Sequence, residues 1–197
     1  MSDVPMFDYR AQLAPLRDEM LAAITRVLDS GTLILGPEVE RFERAFAAAQ
    51  GGGHGVGVNS GTDALVCAFL ALGVEPGDEI VTVPNTAVPT VSAIRAVGAM
   101  PVFVDVDPNT ALMDLDQVSA VVGERTKVVV PVHLYGNMVD VERLRQVLDG
   151  LGSRASIVED CAQAQGASLR GRLAGTLGDV GAFSLYPTKN LGADGDG

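Results

Sequence analysis

The sequence predicts an α/β fold, a largely parallel sheet with helices on both faces. Three observations point to it. From about residue 55 onward, short β-rich runs alternate with helical patterns. Runs such as Val128-Val129-Val130 are apolar at successive positions, as in strands covered on both faces. The chain is 47% hydrophobic and only 20% charged, which suits a buried core and argues against extended disorder. Alternation of this kind implies right-handed crossovers between parallel strands.

Taken in order, residues 10–28 form an amphipathic helical stretch. Pro37 opens a second helix through Gln50, at the position where its missing N–H costs nothing. Gly51-Gly52-Gly53 stops that helix. Strands are expected at 54–59, 79–83, 101–105, 127–132, 155–159 and 180–185. Helices are expected at 63–72, 90–97, 115–121 and 141–148. The implied organisation is a helical segment over 1–50 and a larger α/β unit over 51–197. The final Gly192-Ala193-Asp194-Gly195-Asp196-Gly197 reads as a loop, so a chain truncated at its C-terminus, lacking a further small domain, is expected.

The net charge of −11, from 14 basic and 25 acidic residues, disfavours nucleic acid as a partner, since no Lys/Arg cluster is present. No apolar run reaches the roughly 18–20 residues of a membrane span, and the N-terminus has no basic segment followed by an apolar core. Cys67 and Cys161 fit neither a disulfide framework nor a zinc site, so no metal is expected. A cytoplasmic protein is the expectation.

Three motifs carry chemistry. Asn59-Ser60-Gly61-Thr62-Asp63 opens a helix with small residues, so backbone N–H groups and the hydroxyls of Ser60 and Thr62 suit an anion; helix capping explains the same residues. Asp160 ends an apolar strand, and in open parallel sheets ligands gather at that end; capping of the next turn is the plainer alternative. Ser184 and Lys189 share the loop after the last strand, 29 positions beyond Asp160 in the case of Lys189. A lone lysine is usually a solvated surface residue. Together, though, a lysine able to form a Schiff base and a carboxylate able to hold a pyridine nitrogen protonated describe a pyridoxal phosphate (PLP) site. His133 reads as a packed strand-end residue rather than a general base, and His54 as structural.

These motifs resemble the DegT/DnrJ/EryC1/StrS family of PLP-dependent sugar aminotransferases. The resemblance runs colinearly from Gly31-Thr32-Leu33-Ile34-Leu35-Gly36-Pro37 through the Ser60 motif, Pro131-Val132-His133-Leu134-Tyr135-Gly136 and Glu159-Asp160-Cys161-Ala162-Gln163. It ends with Phe183-Ser184-Leu185-Tyr186-Pro187-Thr188-Lys189-Asn190. It implies the large domain of a fold-type I PLP transferase, with Lys189 and Asp160 as catalytic residues. Ser60, Gly61, Thr62 and Ser184 would face the phosphate, Gln163 the 3-hydroxyl, and Asn190 would neighbour the lysine. It also implies an amino-acid donor, with glutamate favoured, a nucleotide-linked keto-sugar acceptor, and a homodimer with shared sites. Two positions depart from the pattern. Ala87 stands where an aromatic ring is common, and Gln165 where His is frequent. Two other readings stay open: a sugar dehydratase, which would typically carry His in place of Lys189, and a catalytically incompetent remnant or interaction module. A nucleotide-binding Rossmann domain is disfavoured, because no G-x-G-x-x-G opens a helix.

Overall fold

A computed structural model describes residues 4–197. The chain divides into two units: Met1–Ala48 with Gly53–Gly57, and Ala49–Gly52 with Val58–Gly197.

In the first unit the amphipathic stretch is two helices, α1 (Tyr9–Leu13) and α2 (Arg17–Ser30), with α3 at Pro37–Ala49. A single helix over 10–28 fails at Pro15, which removes a backbone donor and crowds the preceding turn. Glu38, in the first turn of α3, accepts from Arg26 of α2 at 3.3 Å and also pairs with Arg41. No residue of α2 is buried, and Leu21, Ile24 and Leu28 lie exposed at helical spacing. The strand expected at 54–59 does not form. The Gly57 N–H is taken by the Glu43 side chain at 2.7 Å rather than by a neighbouring strand, and His54 is exposed.

The second unit is built on a parallel sheet. Its strands are β1 (Glu79–Thr82), β2 (Met100–Phe103), β3 (Thr126–Val129), β4 (Ser156–Asp160) and β7 (Val180–Ala182), in the order β2-β1-β3-β4-β7. Successive strand residues face opposite sides. Val81, Val129 and Ile157 therefore pack with Leu144 and Leu148 of α6 (Val141–Gly150), while Ile80, Val128 and Val158 pack on the other face. There they meet Leu65 and Phe69 of α4 (Gly61–Ala71) and Ile94 of α5 (Val88–Ala96). The α/β architecture with a parallel sheet between helices is the one the sequence predicts.

Two local expectations fail for identifiable reasons. At 115–121 only a 3-10 turn, Val118–Ala120, forms. The Asp114 carboxylate accepts from the Asp116 N–H at 3.0 Å and from the Gln117 side chain at 2.6 Å, closing the backbone locally instead of continuing a helix. A small antiparallel hairpin, β5 (Ser168–Leu169) with β6 (Arg172–Leu173), was not anticipated. Its turn residues Arg170 and Gly171 both have positive φ, as a two-residue hairpin turn demands.

Because every strand of the main sheet runs the same way, all carboxyl ends lie on one edge. β1 pairs with both β2 and β3, so the loops after β1 and β3 leave the sheet at a switch in strand order. The ladder continues loosely past β3: the Asp160 N–H donates to Pro131 O and the His133 N–H to Asp160 O, both at 3.0 Å. This holds the tip of β4 beside the loop after β3. No helix among the described residues is long and apolar enough to cross a membrane.

Candidate active site

A cavity of about 420 Å³ opens at the carboxyl edge of this sheet. The first turn of α4 contributes Ser60, Gly61 and Thr62, and the loop after β1 contributes Thr86 and Ala87. Asp160 and Gln163 enter from the end of β4, and Ser184, Tyr186 and Lys189 from the segment after β7. Residues more than 120 positions apart thus converge through the parallel topology. Asn190 is exposed and does not line the cavity.

At the α4 end, Ser60 is the N-cap. Its hydroxyl accepts from the Asp63 N–H and donates to the Asp63 carboxylate, both at 3.1 Å. Gly61 has a tighter constraint: a Cβ there would lie 2.7 Å from Ser184 Cβ. Helix amides and the Ser184 side chain therefore meet in a cradle that any larger residue would fill. Ser184 Oγ accepts the Tyr186 N–H at 3.3 Å, which leaves its own proton to donate. The Gln165 side chain donates to Ser184 O at 2.5 Å and so fixes that backbone, while its own buried Oε1 has no partner among the described residues. Gln163 accepts the Tyr135 N–H at 2.9 Å through Oε1, leaving its amide N–H groups free for the cavity side.

Asp160 is buried. Its Oδ2 accepts from the Thr90 hydroxyl at 2.8 Å and its Oδ1 from the Ala162 N–H at 3.2 Å. Burial pushes its carboxyl above the ordinary value; the Thr90 and Ala162 hydrogen bonds and the charge of Lys189 only partly offset that. Lys189 is half-buried, and among the described residues its ammonium has no hydrogen-bond or ion-pair partner.

Next to Asp160, Glu159 points the other way and is fully buried. It accepts from His133 Nε2 at 2.8 Å and from the N–H groups of Gly175, Leu177 and Gly178 at 3.0, 2.7 and 2.6 Å. Burial raises its carboxyl, but the His133, Gly178 and Gly175 hydrogen bonds outweigh that and hold it below the ordinary range. His133 Nδ1 accepts the Val139 N–H at 3.1 Å, so the ring proton sits on Nε2 and is given to Glu159. His133 is thus a packed strand-end residue, as the sequence suggests. Cys161 lies close enough to His133 and Glu159 for the three to share an ion. However, both ring nitrogens and all four lone pairs of the carboxylate are already engaged.

The segment bearing those amides lies flat on the sheet. A Cβ on Gly181 of β7 would come within 2.6 Å of Gly175 Cα, and one on Gly178 within 2.7 Å of Ile157 O. Only a glycine permits either approach.

Comparison with known proteins identifies the family and the fold. The family model described as the DegT/DnrJ/EryC1/StrS aminotransferase family matches residues 15–197. The chain belongs to that family. It is 52% identical over 192 residues to the dTDP-3-amino-3,4,6-trideoxy-alpha-D-glucose transaminase of Micromonospora megalomicea subsp. nigra, covering 98% of this chain and 51% of that protein. The crystal structure of S. venezuelae DesV superposes with a TM-score of 0.95 at 46% identity, over all of this chain and 52% of DesV. Streptococcus pneumoniae Spr1654 in its PLP form matches with a TM-score of 0.81 at 32% identity, over 88% of this chain and 48% of that one. The chain spans about half the length of the curated relatives it matches.

The donor set fits the cofactor that the aminotransferase family implies. A helix N-terminus and a hydroxyl form the glycine cradle, a buried acid lines the same cavity, and an amine without a partner among the described residues completes the lining. Sequence reasoning missed Thr90, because a threonine in a helical pattern carries no mark of a contact 70 residues away, and with it Thr86, whose role depends on Thr90.

Proposed function

We propose that the chain carries the cofactor site of a PLP-dependent aminotransferase. In this reading an amino group passes from an amino acid, glutamate in the first instance, to a nucleotide-linked keto-sugar. The supporting observation is a single cavity lined by both Lys189 and Asp160, closed at one end by the Gly61–Ser184 cradle. The names of the relatives support the nucleotide-sugar class. Lys189, in the place where the family's dehydratases would carry His, favours amino transfer.

Bound PLP supplies an aldehyde carbon and an electron-withdrawing ring. Around it, the amides at Gly61 and Thr62 and the hydroxyl of Ser184 bind the phosphate, with Ser60 capping the same turn. Lys189 Nζ holds the aldehyde between turnovers; once free, it takes the proton from the donor's α-carbon and returns a proton later in the cycle. The Asp160 carboxylate supports a protonated ring nitrogen, and the amide N–H groups of Gln163 face the ring hydroxyl. Ala87 lines the cavity with a methyl group, so at that position it would offer a bound ring no aromatic face. The protein acts in the cytoplasm as a homodimer, and the exposed Leu21, Ile24 and Leu28 of α2 supply an apolar face for the second copy.

The test is covalent labelling. After incubation with PLP and borohydride reduction, peptide mass mapping should find one adduct, on Lys189. Lys189→Ala should lose the adduct and at least about 10³-fold of the glutamate-dependent formation of 2-oxoglutarate. An adduct on another lysine, or one retained by the variant, would refute the assignment.

A further inference from the structure

Most threonine hydroxyls on a helix turn back to the carbonyl one turn earlier. Thr25 does so, donating to Leu21 O at 2.8 Å. Thr90, in the first turn of α5, does not. Its hydroxyl crosses to β4 and donates to Asp160 Oδ2 at 2.8 Å, from a side chain only 1% exposed. A hydroxyl has one proton to give. With that proton committed to Asp160, the 2.8 Å contact between Thr90 Oγ1 and Thr86 Oγ1 must be donated by Thr86. The result is a directed chain, Thr86 to Thr90 to Asp160, running from the half-buried cavity wall to the buried carboxylate.

Among the described residues no lysine, arginine or histidine lies within ion-pair distance of Asp160, whose direct donors are Thr90 and the Ala162 N–H. The buried charge is therefore supported at contact distance by neutral donors, each lined up on a different oxygen. A β-branched threonine has two helical χ1 rotamers open to it, and the buried contacts of Thr90 with Asp160 and Thr86 select the one that aims the hydroxyl at β4.

We propose that Thr90, backed by Thr86, is a positioning residue: its hydroxyl fixes the rotation of the Asp160 carboxylate and favours its charged form before any ligand enters. Protonation of Asp160 at Oδ2 would reverse both hydroxyl bonds, so the direction of the chain is tied to the charge state of the acid. This deepens the cofactor reading, and for the cofactor it rests on that reading. The hydroxyl chain itself does not.

The test uses the full chain without cofactor. The Asp160 side-chain carboxyl is followed by carbon-13 NMR from acid to neutral pH and assigned with Asp160→Asn. The titratable groups around it, Lys189, His133 and Cys161, with Glu159 on the opposite face of the strand, stay the same in every variant. Thr90→Val keeps the shape and removes the donor, so the proton affinity of Asp160 should rise about tenfold. PLP binding, read by absorbance, should weaken by a similar factor. Thr90→Ser should restore most of both, and Thr86→Val should give a smaller change of the same sign, about threefold. A packing role alone would leave the titration unmoved and would not be rescued by Ser. The proposal is overturned if folded Thr90→Val titrates like the wild type, or if Ser and Val are equally impaired. Should Thr90→Val not fold, Thr86→Val decides, and an unshifted titration there overturns it. If wild-type chain fails to bind PLP, the cofactor reading falls, while the titration still judges the hydroxyl chain.

Discussion

Two consecutive carboxylates at the tip of β4 are treated in opposite ways. Glu159, on one face of the sheet, is saturated by four donors and held below its usual proton affinity. Asp160, on the other face, has two donors, looks into a cavity and is pushed up by burial. The pleat of one strand separates a residue that organises structure from one left partly unsatisfied and ready for a ligand. Incomplete satisfaction beside a cavity, rather than burial alone, is what sets Asp160 apart from Glu159.

The strongest way to break this contrast is Glu159→Ala. It would strand three backbone N–H groups and the His133 ring proton, and should cost about 3–5 kcal/mol in urea unfolding. A cost under about 1 kcal/mol would show that the saturated side is not structural. The same group sets an acid limb. Its folded proton affinity lies below the ordinary value of 4.5, so its stabilisation is present above that pH and is lost as pH falls through the lowered value. Glu159→Gln should flatten this limb.

Next in size is Gly181→Ala. The added methyl would meet Gly175 Cα at 2.6 Å, and the overpacking should cost about 1–3 kcal/mol, read as a lower urea midpoint. The smallest effect has the opposite sign. Asp160 is raised above its ordinary 3.8, so stability from this group is greatest below 3.8 and declines as pH rises through the folded value. Asp160→Asn removes that decline. It should raise the urea midpoint of the cofactor-free protein at neutral pH and bring no gain below about pH 4. A midpoint lowered at neutral pH would mean that Asp160 is as well satisfied as Glu159.

Much of this contrast was legible in the sequence on one side only. The apolar runs ending in Asp160 and leading to Ser184 and Lys189 placed those groups at strand ends, and period-two patterning made the sheet readable. Glu159, although adjacent to Asp160, gave no signal, because its partners are amides of a loop 16 to 19 residues downstream. Thr90 was hidden for the same reason. The local misses have local causes. Pro15 splits a pattern that periodicity reads through, Asp114 closes its own turn, and the glycine-rich run at 54–59 finds its donor's partner on a helix. β3 and β7 end short of the expected 132 and 185, where the chain leaves the ladder to line the cavity with Val132, His133 and Ser184.

The close approach of Gly175 and Gly178 to β7 and β4 bears on how such a protein can diversify. Variation there is closed off, since a side chain on Gly178 would collide with the main chain of β4 and one on Gly175, at positive φ, with the Phe183 ring. The wall at Ala87, Pro89 and Tyr186 adjoins open volume and can accept bulk without disturbing the sheet. Libraries aimed at reshaping the cavity belong at those rim positions, with the glycine seam left untouched.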